Sequence, residues 1–204
     1  MCARRTEAAL GAGTFFTRLF FGEAGVTRRK TAGAQRILQL PDRKLLAEAY
    51  LPAMAAEGGR ILWVGCRAYT ADDYAVLEAG GGEVWTTDID PEAARWGVLG
   101  RHRTGDVCII DKIFPDMTFD AISCNGVLGY GVDTPEQQRQ ALVAMAAILR
   151  PGGRLLLGWN TDKIDDPVAA GLTSPEFAPT PYAGQESRVR FDEVTHVYDA
   201  LVRT

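Results

Sequence analysis

Asp88 ends the strand-like run Glu-Val-Trp-Thr-Thr-Asp at 83–88 and stands 23 positions after Gly65. A carboxylate at the carboxyl end of a second strand can accept both hydroxyls of a ribose. Gly65 lets the chain turn sharply after a first strand, and N–H groups at the start of the following helix can then meet a polar ligand. Arg67, two positions on, carries a guanidinium whose fork matches a carboxylate through two parallel bonds. Asp88 reads equally as the cap of the helix that Asp90-Pro91 opens. A ribose diol is common to several cofactors, so this residue alone does not choose among them.

Metal chemistry is not expected. Cys2, Cys66, Cys108 and Cys124 are irregularly spaced with no C-x-x-C pair, and the two histidines, His102 and His196, are far apart in sequence. Reduced, mostly structural cysteines are the expectation.

These residues need a scaffold, and the apolar pattern supplies one. Strands are expected at 60–65, 83–88, 119–124 and 154–159, with weaker candidates near 107–110, 188–191 and 195–203. Helices are expected from Asp42, as cap, to Gly58-Gly59, with Pro52 kinking or splitting the run, and over Thr70–Ala79, Pro91–Leu99 and Thr134–Leu149. Alternation of this kind implies right-handed crossovers and a mainly parallel sheet with helices on both faces. The tail, Ser187 to Arg203, reads instead as an antiparallel hairpin turning near Asp192 and Glu193.

The 204 residues suit a single domain, 47% hydrophobic and 24% charged, as in an ordinary globular protein. No apolar run approaches the ~18 residues of a membrane span, and Phe15 to Phe21 is broken by Arg18, so a cytoplasmic protein without membrane contact is expected. The net charge of -4 argues against a nucleic-acid partner. It is unevenly spread: residues 1–40 hold seven Lys or Arg against two Glu, a net +5, which leaves -9 on residues 41–204. That arm either folds back on the acidic body or acts as a lid over the site.

Two stretches, residues 83–91 and Leu-Arg-Pro-Gly-Gly-Arg-Leu-Leu-Leu-Gly at 149–158, resemble the class I S-adenosylmethionine (AdoMet) dependent methyltransferases, and the matching segments span about residues 60–160. The resemblance implies a doubly wound, Rossmann-like, mostly parallel seven-stranded α/β sheet with a C-terminal antiparallel hairpin. It implies AdoMet as cofactor, with Gly65, Cys66 and Arg67 in the first turn, Asp88 as the ribose acid and Ile89 on the adenine face. Asp106 and Val107 take the places that meet the adenine edge, although Gly-Asp is also a common turn pair. Asn125 falls at a strand tip facing the transferable methyl, or serves as a turn residue. Tyr130, Trp159 and Asn160 fall where the acceptor pocket is shaped.

The first loop departs from the family pattern. Trp63 stands where an acid is usual, and Arg67 and Tyr69 stand where two further glycines are usual. Arg67 is expected to pair with the methionyl carboxylate and Tyr69 to cover the same end. Methyl transfer from a sulfonium needs proximity and a dry pocket more than acid or base help. If a base is used, Tyr130 and His102 are the nearest candidates, with His102 expected on the surface between two arginines. The expected function is methyl transfer to a small molecule. The alternative is a methyltransferase-like fold without transfer activity, acting as a binding or regulatory protein. A nicotinamide oxidoreductase would want G-x-G-x-x-G where Gly-Cys-Arg-Ala-Tyr-Thr stands.

Overall fold

The computed structural model describes residues 35–204. The expected lid lies largely on residues 1–34, outside the described residues. Within Pro41–Thr204 the sheet has eight strands: β1 (Arg60–Val64), β2 (Glu83–Asp88), β3 (His102–Thr104), β4 (Phe119–Asn125), β5 (Leu149–Asn160), β6 (Phe177–Pro179), β7 (Arg188–Arg190) and β8 (His196–Arg203). Their order is β3-β2-β1-β4-β5-β8-β6, with β7 also on β8. Strands β1 to β5 pair in parallel, whereas β8 runs antiparallel to β5, β6 and β7.

The count exceeds the expected seven because the outermost strand is divided. Residues 180–187 leave the edge of β8 as a small excursion, with Ala183 and Gly184 at positive φ, and β6 and β7 are the paired pieces on either side. The hairpin of β7 and β8 is present where the tail pattern put it.

Side chains alternate across each strand, so successive residues feed two cores. Leu62, Val64, Ile122, Leu155 and Leu157 pack on one face with Leu142 and Met145 of α5 (Pro135–Ile148). Ile61, Trp63, Leu156 and Tyr198 pack on the other with Leu46, Tyr50, Met54 and Leu77. These last belong to a helical run made of α1 (Pro41–Leu45), a π turn (Leu46–Tyr50) and α2 (Leu51–Glu57), and to α3 (Ala71–Ala79).

Asp42 sits inside the first turn of α1, buried, rather than at the cap; Pro41 takes the first helical position. Pro52 lacks the N–H that would reach Glu48, and the helix widens just ahead of it, Leu51 N–H donating to the Leu46 carbonyl. Gly58 and Gly59, both at positive φ, then end the run.

Two further expectations are corrected. Residues 91–96 form 3-10 turns, not an α-helix. The third strand is His102–Thr104, and the weak candidate near 107–110 is instead a 3-10 turn, Val107–Ile109, leading into α4 (Ile110–Ile113). A run as short as Val-Cys-Ile-Ile does not by its apolar content distinguish a buried strand from a buried turn. α5 has the expected start: Thr134 Oγ1 accepts from Gln137 N–H at 3.3 Å, and the Gln137 side chain returns a bond to the Thr134 N–H.

Candidate active site

Strand order reverses between β1 and β4, because the chain builds β2 and β3 to one side of β1 before returning to the other. A crevice at the carboxyl ends of the strands is the expected consequence. It is found there, lined by Val64, Gly65 and Arg67 after β1, Asp88 and Ile89 after β2, Gly105 to Val107 after β3, and Gly126, Val127 and Tyr130 after β4. Of the residues singled out from sequence, the fold brings Gly65, Arg67, Asp88, Ile89, Asp106, Val107 and Tyr130 to this one cleft.

Asp88 is the centre of the arrangement. Its side chain is 4% exposed. Oδ2 accepts from the Cys66 N–H at 2.7 Å and from Arg67 Nη1 at 2.8 Å, and Oδ1 accepts from the Asp90 N–H at 2.9 Å. A carboxylate offers about four acceptor positions, so one is open as it stands. Releasing Arg67 would free a second, and two are what a ribose diol requires. Arg67 is 55% exposed on its side chain, so the ion pair is worth about 1 kcal/mol or less. Arg67 lines the cleft, and its guanidinium takes one of the Asp88 oxygen positions that a ribose diol would need. The guanidinium thus holds the acid that was expected to sit beside it as an independent ligand.

The unusual first loop has a structural account. Trp63 is buried and its indole N–H donates to the Gly65 carbonyl at 3.0 Å, which pins the turn where Gly65 has φ +89°. Only glycine adopts this backbone readily. Tyr69 is not among the cleft residues; Arg43 lies over its ring at 5.1 Å. Cys66 is fully buried, and burial raises its thiol pKa.

Asp106 lines the cleft and also caps the next turn, its Oδ1 accepting from Cys108 N–H at 2.9 Å, so the binding and turn readings are compatible. Ile89 is 66% exposed, an apolar surface at the cleft beside Asp88. Tyr130 is half exposed, with Lys163 Nζ 5.9 Å from its ring centre.

Four residues lie elsewhere than expected. His102 is half-buried rather than on the surface: Nδ1 lies 3.0 Å from Thr86 Oγ1, and burial lowers its pKa. It is not among the cleft residues. Trp159 does not face the cleft either; it is 1% exposed in the core, with its indole N–H on Asp199 Oδ2 at 2.8 Å. Asn160 Oδ1 lies instead 3.4 Å from Nδ1 of His196, and the Asn125 side chain rests with that imidazole over Gly158; His196 is a residue the sequence pattern did not single out. Gly126 and Val127 were also missed, although a glycine just past a buried strand is the available signal.

The profile of a methyltransferase domain matches residues 62–157. The chain is 32% identical over 126 residues to the ubiquinone/menaquinone biosynthesis C-methyltransferase UbiE of Bordetella avium (strain 197N), covering 57% of this chain and 45% of that one. The chain therefore spans about half the length of the curated relatives it matches. Among solved structures, the fold is shared with the Burkholderia thailandensis 1,6-didemethyltoxoflavin-N1-methyltransferase with bound 1,6-didemethyltoxoflavin and S-adenosylhomocysteine, at 20% identity, TM-score 0.50 and coverage of 86% and 90%. It is also shared with the Methanococcus jannaschii fibrillarin pre-rRNA processing protein, at 18% identity, TM-score 0.58 and coverage of 80% and 76%.

Proposed function

We propose methyl transfer from AdoMet to a small molecule, on the premise that this chain belongs to the class I AdoMet-dependent methyltransferases. The observation that carries the proposal is the Asp88 carboxylate, buried at the switch-point cleft with one acceptor position open and a second held only by a solvent-exposed arginine. The residues fit the cofactor once that arginine turns away. Asp88 would hold the ribose, Ile89 an adenine face, and Asp106 and the Val107 N–H the adenine edge. Arg67, freed from Asp88, would meet the methionyl carboxylate, exchanging one carboxylate for another at little net cost. The cofactor supplies an electrophilic methyl on a sulfonium sulfur.

What the chain contributes is orientation and exclusion of water around a displacement that needs little else. Support for a small acceptor comes from the charge of -9 on residues 41–204, which repels phosphate backbones. Fold likeness does not make this choice, since an RNA-processing protein shares the fold.

Calorimetric titration of the folded chain with S-adenosylhomocysteine tests the reading. A saturable heat that disappears in Asp88→Ala is expected. No heat at high protein concentration favours the alternative, a transfer-silent binding protein whose ribose acid is permanently clasped.

A further inference from the structure

His196 opens β8 and is paired across the sheet with Asn160, at the carboxyl end of β5. It is 8% exposed, and its Nε2 is buried with no hydrogen-bond partner among the described residues. Asn125, at the tip of β4 and one residue before the cleft, leaves its Oδ1 in the same condition, while its Nδ2 donates to Ser123 Oγ at 2.8 Å. The two orphan atoms converge. A Cβ at Gly158 would lie 2.3 Å from Asn125 Oδ1 and 2.6 Å from His196 Nε2, so only a glycine lets both side chains rest on the strand there.

The protonation of the imidazole is dictated by a chain of bonds behind it. Thr195 Oγ1 donates to Asp162 Oδ1 at 2.7 Å, and its oxygen must therefore accept from Asn160 Nδ2 at 3.0 Å. That turns Asn160 Oδ1 toward His196 Nδ1 at 3.4 Å, and a carbonyl oxygen only accepts, so Nδ1 carries the proton. Nε2 is left as a lone pair. Burial, with the Arg43 charge nearby, pushes the His196 pKa down to about 4, which keeps the ring neutral at ordinary pH. The Tyr198 ring packs edge-on at 4.5 Å and supplies no donor bond to Nε2.

With the Asn125 amide turned so that Nδ2 bonds Ser123 Oγ, Oδ1 and the His196 Nε2 lone pair are two buried acceptors that face one point, and leaving them bare is costly. We infer that His196 Nε2 and Asn125 Oδ1 form the seat for a hydroxyl or amine of the molecule to be methylated, at the β4 tip beside the cofactor cleft. The inference rests on the methyltransferase reading for the identity of that molecule, but not for the chemistry of the seat, which takes an O–H or N–H donor.

Imidazole 15N spectra of the labelled full chain, saturated with S-adenosylhomocysteine, test it with three probes of similar shape: phenol, aniline and anisole. Phenol or aniline should shift the His196 Nε2 resonance saturably, and anisole, which has no proton to donate, should not. Phenol and aniline distinguish a hydroxyl from an amine preference. Asn125→Ala should weaken the effective probe about tenfold, the loss of one buried hydrogen bond, and Gly158→Ala should abolish the shift, because a methyl there pushes both side chains off the strand. The inference is overturned if the donors behave as anisole does, if Nε2 itself carries the proton, or if coupling shows the Asn125 amide donating to Nε2. These wild-type readings stand even where a variant fails to fold. Heat from S-adenosylhomocysteine in the same sample separates the two proposals: heat without a probe shift sinks the seat alone, and a probe shift without heat sinks the methyltransferase reading alone.

Discussion

Asp88 and Arg67 form a competition rather than a fixed ion pair. The arginine occupies one of the positions that a ribose would claim, and it gains a replacement partner only if the ligand brings its own carboxylate. Arg67→Ala should therefore tighten adenosine, which has no carboxylate, by up to about fivefold, the worth of an exposed pair. It should leave S-adenosylhomocysteine unchanged or weaker, so the ratio of the two affinities, measured by calorimetry, falls. Asp88→Asn should weaken both ligands by tenfold or more, since one amide cannot replace a carboxylate that accepts three bonds. Both residues stand out in the sequence as a strand-end acid and a crowding cation. Their contact does not, because the positions are 21 apart and meet only when β1 and β2 lie side by side.

At the scale of elements, the first turn is held from beneath by Trp63. Trp63→Phe keeps a ring in the core but removes the bond to the half-buried Gly65 carbonyl, and should cost about 1 kcal/mol in urea unfolding. Thr134→Ala, which removes the α5 cap, should cost about 1 kcal/mol by the same measurement. The divided outer edge is tied by another device: Arg188 of β7 bonds Asp166 at 2.5 Å and Asp199 of β8 at 2.6 Å, and Asp199 also accepts from Trp159. Trp159 read from sequence as a pocket residue because it ends an apolar strand. The pleat puts it on the inner face, and Asp199 across the ladder gives its N–H a partner.

Across the whole molecule, two buried titrating groups pull stability in opposite directions. His196 has a folded pKa of about 4 against an ordinary 6.5, so the unfolded chain takes up the proton first and stability falls as pH drops from 6.5 toward 4. Asp73 is raised by burial from 3.8 to about 6 despite Arg43 at 3.2 Å. The folded state takes up that proton first, so its contribution is full below about 3.8 and lost as pH rises through 6. Urea midpoints between pH 7 and pH 4.5 should fall less steeply in His196→Gln than in the wild type, and more steeply in Asp73→Asn. No helix among the described residues is long and apolar enough to cross a membrane.

The sequence by itself determined the alternating order of strands and helices, the glycine and acid of the first two turns, and the antiparallel tail. These are local: period, caps and turn residues act over a few positions, and each can be read where it stands. Tertiary structure alone decided that Arg67 clasps Asp88, that Trp63 braces Gly65, that Trp159 turns inward, and that His196 meets Asn125 over Gly158. Each of those depends on which strands become neighbours and which face of the pleat a residue takes. A one-residue change of register would reverse every such assignment without altering the local pattern.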